Sequence, residues 1–118
     1  MYNYDKEGNI GMFKRLRNVK LKEECWNIDY SFLLWINEHF KMYLKEAGNI
    51  VDLEHYTYDY KGKIITQKDA INIIIKDTNW LIKVYYDYSI KEEFKEEFTN
   101  AIDEVFEVFY LVYYNMWW

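Results

Sequence analysis

The sequence predicts a mainly α fold: a three-helix bundle with a short β-hairpin or an extended loop between the first two long helices. Three observations favour this fold. Apolar residues recur at helical spacing over three long stretches. Proline is absent, so nothing kinks long helices. Residues 49–65 lack that spacing and separate the first two stretches, and three antiparallel helices are the economical way to assemble these parts.

The length of 118 residues predicts one folded unit. Residues 1–11 are polar and contain two glycines, so we expect a flexible N-terminal tail there and a single helical domain over 12–118. Cys25 is the single cysteine and cannot form an internal disulfide, which indicates a reducing compartment. No secretory leader or membrane span is visible, and we expect a cytoplasmic protein.

The first long helix is predicted to begin near Asp29 or Ser31, both good N-cap residues, and to run to about Ala47. Gly48 and Asn49 then end it. Its apolar side is predicted to contain Phe32, Leu33, Ile36, Phe40 (or His39), Tyr43 and Leu44.

Tyr56, Tyr58 and Tyr60 alternate with polar residues before Lys61-Gly62, which is typical of a hairpin, although an extended loop is the alternative. Thr66 is predicted to cap the second helix, with Asp69 completing a capping box. The inner stripe of that helix is predicted to contain Ile71, Ile74, Ile75, Thr78, Leu81 or Ile82, and Tyr85.

Ser89 and Glu92 predict the capping box of the third helix. A coiled-coil-type seam follows, at Phe94, Phe98, Ile102, Val105, Phe109, Val112 and Met116. After Glu107 no charged residue remains, and a helix that is apolar all round is buried all round. The last three turns are therefore expected in the centre of the fold or between subunits.

Charge is unevenly distributed. Residues 1–22 carry six Lys or Arg against two acids, whereas 87–107 carry eight acids against two lysines. Lys14, Arg15 and Arg17 are candidate phosphate contacts, with pairing to the chain's own acids as the simpler reading. The acidic face of the third helix includes Glu93, Glu96, Glu97 and Glu104. A solvated surface is the favoured interpretation, and mimicry of a phosphate row is the sharper alternative. Direct binding of duplex nucleic acid is not expected.

The C-terminal aromatic residues exceed what one three-helix core needs. We expect them to form an interface, most simply with a second copy of the chain; they are Tyr110, Tyr113, Tyr114, Trp117 and Trp118. Stacking on a ligand is the alternative.

Enzyme and metal signatures are weak. Cys25, His39 and His55 match no zinc spacing, and no nucleophile signature surrounds Cys25. We therefore expect no catalytic residue, no metal and no cofactor.

Three segments resemble a group of small uncharacterised accessory proteins of bacteriophages that infect low-GC Gram-positive bacteria. These segments are Cys25-Trp26-Asn27-Ile28-Asp29-Tyr30, Tyr60-Lys61-Gly62-Lys63 with Thr66-Gln67, and the terminal Met116-Trp117-Trp118. The resemblance covers about residues 12–118 and carries over no functional residue. It implies an accessory protein in the cytoplasm of an infected bacterium, where such proteins often bind and block host defence systems.

The favoured hypothesis is a non-enzymatic, homo-oligomeric binding protein. It would interfere with a host protein, such as a defence factor or one that acts on nucleic acids. The alternative is a module that sequesters a nucleotide signal. Aromatic side chains would stack on it, and the basic residues Lys14, Arg15 and Arg17 would contact its phosphate. That alternative predicts an aromatic pocket with at least one Lys or Arg in its lining.

Overall fold

A computed structural model describes residues 11–116, and the side chains from residue 18 onward. The chain is mainly helical. In chain order the elements are α1 Gly11–Cys25, α2 Ile28–Ala47, β1 Thr57–Tyr60, β2 Lys63–Thr66, α3 Gln67–Val84, α4 Tyr88–Glu93, α5 Lys95–Val112 and a 3-10 turn at Tyr113–Asn115. The predicted tail lies, except for Gly11, outside the described residues.

The predicted number of three helices is wrong, because the described residues form five α-helices. One extra helix is α1, which precedes the first predicted helix. The other arises because the predicted third helix is divided at Phe94, whose backbone leaves the helical region (φ −113°, ψ 40°). The chain also separates after Phe32 into two compact units.

The first unit contains α1 and the opening of α2. Ser31 Oγ donates a hydrogen bond to the carbonyl oxygen of Glu24 at 3.1 Å. The Ser31 amide donates to the Asn27 carbonyl at 2.9 Å, which is the first-turn bond of α2. These two hydrogen bonds of Ser31 hold the connection between α1 and α2, residues 26–27, in place.

The second unit contains the rest of α2 and everything that follows. The predicted end of α2 at Ala47 agrees with the structure. The buried side of α2 contains Phe40 rather than His39, and its members are Leu33, Ile36, Asn37, Phe40, Tyr43 and Ala47. Asn37 is the unexpected member: its Nδ2 donates to Thr78 Oγ1 at 2.8 Å and to Asn79 Oδ1 at 2.9 Å, which joins α2 to α3.

The predicted hairpin is confirmed. Strands β1 and β2 are antiparallel, with Tyr60 opposite Lys63. Lys61 and Gly62 form the two-residue turn, and both have positive φ angles, of 50° and 76°. Positive φ at both positions matches the twist of a tight hairpin, and glycine adopts it without steric cost.

The capping box of α3 is confirmed as well. Thr66 Oγ1 accepts a hydrogen bond from the Asp69 amide, and the Thr66 amide donates to Asp69 Oδ2, both at 3.1 Å. From this fixed start, α3 packs along α5 in the most extensive helix pair of the described chain. Its buried residues are Gln67, Ala70, Ile71, Ile74, Thr78, Leu81 and Val84.

The predicted capping box at Ser89 and Glu92 is wrong. Asp87 caps α4 instead, because its Oδ1 accepts the Ile90 amide at 3.2 Å. Ser89 Oγ donates to the same oxygen at 2.9 Å, so the serine supports the cap rather than forming it. These hydrogen bonds hold the pKa of Asp87 below its ordinary value.

The predicted seam is buried only in part. On α5 the fully buried side chains are Val105, Val108 and Val112, whereas Phe94 is 40% exposed. The expectation that the last turns lie in the centre of the fold is not met for the tyrosines, since Tyr110 and Tyr114 are 77% and 82% exposed. Burial of one side of α5 therefore continues to Val112, whereas none of the described elements covers Tyr110 on the other side.

Candidate functional site

An open groove without Asp, Glu, Lys or Arg in its lining lies between α2 and the C-terminal end of α5. Its volume is 650 Å³. We call it the aromatic groove, and it is lined by Trp35, His39, Phe40, Met42, Tyr43, Phe109, Tyr113, Tyr114 and Met116. Trp35 and Met42 are half exposed, so large apolar side chains at this groove remain open to a partner.

The floor of the aromatic groove is a chain of ring contacts. Phe40 is buried on α2 and meets Phe109 edge-on, with ring centres 5.7 Å apart. Phe109 in turn contacts Tyr113 at 5.9 Å, and Tyr113 contacts Tyr114 at 5.1 Å. The buried Phe40 ring therefore supports the exposed rings of Tyr113 and Tyr114 through Phe109.

The α2 wall of the groove is held by a stacked pair. The Trp35 and His39 rings lie 4.2 Å apart at an angle of 22°, as the spacing of four residues on a helix allows. His39 Nδ1 donates to the Trp35 carbonyl oxygen at 2.8 Å. This bond orients the imidazole and gives the exposed indole a fixed support.

A buried set of polar groups, which we call the amide network, anchors the C-terminal end beside the groove. Gln67 is 1% exposed, and its Nε2 donates to the Asn115 carbonyl oxygen at 2.8 Å and to Tyr43 Oη at 3.4 Å. Tyr58 Oη donates to Gln67 Oε1 at 3.3 Å and accepts from Asn115 Nδ2 at 2.8 Å. The 3-10 turn after α5 is therefore fastened to α2, β1 and the start of α3.

The predicted interface residues are not all in the groove. Tyr113 and Tyr114 line it. Tyr110 is exposed on α5 but is not among the lining residues. Trp117 and Trp118 lie outside the described residues and follow Met116, which lines the groove, directly in sequence.

The acidic face divides into two parts. Glu93, Glu96 and Glu97 are exposed, as a solvated face predicts. Glu104 instead accepts hydrogen bonds from the hairpin: its Oε2 lies 2.5 Å from Tyr60 Oη and 3.2 Å from Lys61 Nζ. Glu104 and Lys61 form the one salt bridge among the described residues.

A second carboxyl group lies beside Glu104. Asp77 of α3 has one oxygen, Oδ2, that is buried and has no hydrogen-bond partner among the described residues. Burial and the neighbouring Glu104 raise the pKa of Asp77 to about 7. The interaction with Asp77, together with the hydrogen bonds from Tyr60 and Lys61, lowers the pKa of Glu104 to about 2. Tyr60, Lys61, Asp77 and Glu104 are called the carboxyl cluster below.

The other candidate groups are placed as follows. The side chains of Lys14, Arg15 and Arg17 lie outside the described residues. Cys25 is an exposed free thiol at the end of α1. The aromatic groove contains no Lys or Arg among its lining residues, so it does not show the mixed pocket that the nucleotide alternative predicts. No group of three metal-ligating side chains was found in the part of the chain that the structure describes.

Sequence reasoning missed Asn37, Gln67 and Asp77. Helical spacing contains a signal for the last of these, because Asp77 follows the buried Ile74 by three residues and precedes the buried Leu81 by four. A carboxyl group within an apolar stripe predicts a buried polar contact.

Comparisons with family models, with curated proteins and with solved structures found no match for this chain. Among the described helices, none has both the length and the apolar character that crossing a membrane requires.

Proposed function

We propose that this is a non-enzymatic binding protein that self-associates, and that the aromatic groove is where a second copy docks. The observation that carries the proposal is the groove itself: 650 Å³ of open space whose lining residues carry no acid, lysine or arginine. A ring-lined surface without Asp, Glu, Lys or Arg binds mainly by apolar contact.

The chain's own C-terminal end has the chemistry that this groove would accept. Residues 108–118 contain no Asp, Glu, Lys or Arg, and five of these residues are Tyr or Trp outside the seam. Part of this stretch already lines the groove. The same surface on two copies is therefore self-complementary, as a two-fold symmetric interface requires.

Exposed rings give such a contact its surface. Tyr113 and Tyr114 leave 60% and 82% of their surface exposed and are therefore available to a second copy.

We further propose that the assembled protein binds a host protein, such as a defence factor or one that acts on nucleic acids. The resemblance to phage accessory proteins and the exposed acids on α4 and α5 support this step. Triple reversal of Glu93, Glu96 and Glu97 to lysine should abolish binding to a purified host protein. Reversal of the exposed Glu38 and Glu46 on α2 should not. Equal loss in both variants would overturn the acidic contact.

Self-association is tested by sedimentation velocity and native mass spectrometry. The wild type should be dimeric at concentrations on the order of 10 µM. Tyr114→Ala, and a chain that ends at Met116, should each weaken dimerisation at least about thirtyfold, as expected when an interface anchor is lost. Tyr88→Ala is the matched control, since Tyr88 is 76% exposed on α4 and is not among the groove's lining residues.

Two results would overturn this proposal. One is a wild-type monomer over the whole concentration range. The other is a dimer that Tyr114→Ala and Tyr88→Ala weaken equally, because the contact would then lie elsewhere.

A further inference from the structure

The loop that joins α2 to β1, residues 48–56, is fastened to the start of α3. The Leu53 carbonyl oxygen accepts the Lys68 amide at 2.9 Å, and the Tyr56 carbonyl oxygen accepts the Gln67 amide at 3.0 Å. The Leu53 side chain is 7% exposed, so the middle of the loop is also held by burial. The loop therefore has a fixed position before any ligand binds, which lowers the cost of binding.

This fixed loop and the amide network border a further cavity, of 280 Å³. We call it the loop pocket, and its lining includes Asp52, His55 and Tyr56 of the loop with Gln67 and Asn115 of the amide network. The volume corresponds to about nine water molecules, or to one organic molecule of similar size. The loop pocket therefore suits a small molecule.

Three aromatic rings line the loop pocket. His55 and Tyr56 meet edge-on, with ring centres 5.0 Å apart and ring planes at 76°, so the two rings form a corner rather than one flat wall. Tyr43 of α2 supplies the third ring and is 8% exposed. The face of a tyrosine ring carries partial negative charge and attracts a cation within about 6 Å.

The charge in the lining of the loop pocket is negative. Asp52 is exposed, and its Oδ1 accepts the Glu54 amide at 2.9 Å. Among the described residues, none that lines the pocket is Lys or Arg, and none forms a salt bridge with Asp52. This carboxylate is therefore available to a positively charged ligand, whereas it repels a phosphate.

The polar groups on the inner side of the pocket already bond to one another. Gln67 Nε2 donates to the Asn115 carbonyl oxygen at 2.8 Å, and Gln67 Oε1 accepts the Tyr58 hydroxyl at 3.3 Å. Asn115 Nδ2 donates to the same hydroxyl at 2.8 Å. A primary ammonium group brings three N–H donors that need acceptors once they leave water. A quaternary ammonium group brings none, so it fits this lining better.

We propose that the loop pocket binds a small organic molecule with a quaternary ammonium group, whose charge faces Asp52 and whose methyl groups contact the aromatic rings. Binding here does not require self-association, since every residue that lines the pocket belongs to one copy of the chain.

Choline is the probe, added to the full chain and followed by the amide chemical shifts in NMR spectra. The shifts of residues 51–56 should change and saturate, with a dissociation constant on the order of 1 mM or below. The carbon isostere dimethylbutanol, in which carbon replaces the charged nitrogen, has the shape of choline without its charge. Ethanolamine has the charge but carries N–H donors. Each of these two molecules should bind at least about threefold more weakly than choline.

Three variants locate the contact. Asp52→Asn keeps an acceptor for the Glu54 amide and loses the charge, so the affinity for choline should fall about threefold. Tyr56→Leu keeps apolar bulk and loses the ring, and a loss of about threefold is expected for one exposed cation–π contact. Glu54→Gln is the matched control, because it removes a charge from the same loop at a residue outside the lining, and it should bind choline like the wild type.

Four results would overturn this site. They are the absence of a saturable shift with choline, equal affinity for choline and dimethylbutanol, equal affinity for choline and ethanolamine, and equal losses in Asp52→Asn and Glu54→Gln. If Asp52→Asn does not fold, Tyr56→Leu decides: full affinity for choline in that variant would also exclude the proposed contact.

Discussion

The hairpin and the aromatic groove use tyrosine in opposite ways. Tyr58 and Tyr60 direct their hydroxyl groups into the amide network and the carboxyl cluster. Tyr113 and Tyr114 leave 60% and 82% of their surface exposed. A tyrosine whose tip is bonded within the fold contributes to stability, and one whose ring remains exposed is available to a partner.

This difference should separate stability from association. Substitutions on the hairpin side should lower the free energy of unfolding and change dimerisation little. Substitutions on the exposed side of the groove should weaken dimerisation and change the free energy of unfolding little.

Among substitutions that remove a polar contact, Gln67→Leu should have the largest effect on stability. The substitution leaves the Asn115 carbonyl and the Tyr58 hydroxyl without their buried partner. An unsatisfied buried polar group costs about 1–3 kcal/mol, so we expect a loss on the order of 2 kcal/mol or more in urea unfolding. Lys68→Ala, at the next and exposed position, is the control and should stay within about 0.5 kcal/mol of the wild type. A near-neutral Gln67→Leu would mean that the amide network does not hold the C-terminal end.

Tyr60→Phe should have an intermediate effect. It removes one hydroxyl group from Glu104 while Lys61 remains in place. We expect a loss of about 1 kcal/mol, the usual net value of one hydrogen bond, measured by urea unfolding. Tyr88→Phe removes an exposed hydroxyl group as the control. Losses of equal size in the two variants would contradict the assignment of Tyr60 to the fold.

Local sequence signals predicted local structure well. Lys61-Gly62 indicated the hairpin turn, and Thr66 with Asp69 indicated the start of α3, because each feature depends on neighbouring residues alone. The break at Phe94 was not predictable, since the apolar spacing runs through it without interruption. The cap at α4 was displaced because Asp87 and Ser89 are both good N-cap residues, and spacing does not decide between them.

The candidate site was predictable only in part. The uncharged C-terminal stretch indicated burial in the fold, pairing with a second copy or stacking on a ligand, and Tyr113 and Tyr114 do line the groove. The opposite wall was not predicted, because Trp35 and Met42 become groove residues only through the way α2 packs. Glu104 looks like one more exposed acid in the sequence. Its contact with Tyr60, 44 residues earlier in the chain, could not be predicted from local pattern.

Trp35→Ala should change stability least while weakening association strongly. Trp35 is 50% exposed and rests on His39, so truncation removes surface that water already reaches. We expect a loss below about 1 kcal/mol in unfolding of the monomer at high dilution, together with a clear rise in the dimer dissociation constant. Phe40→Ala is the contrast on the same helix: Phe40 is 4% exposed, and its loss should cost about 3–5 kcal/mol. A Trp35→Ala variant that unfolds as readily as Phe40→Ala would show that the indole belongs to the core. The groove would then be part of the core rather than a surface open to a partner. The contrast between its exposed rings and the bonded tyrosines of the hairpin would not hold.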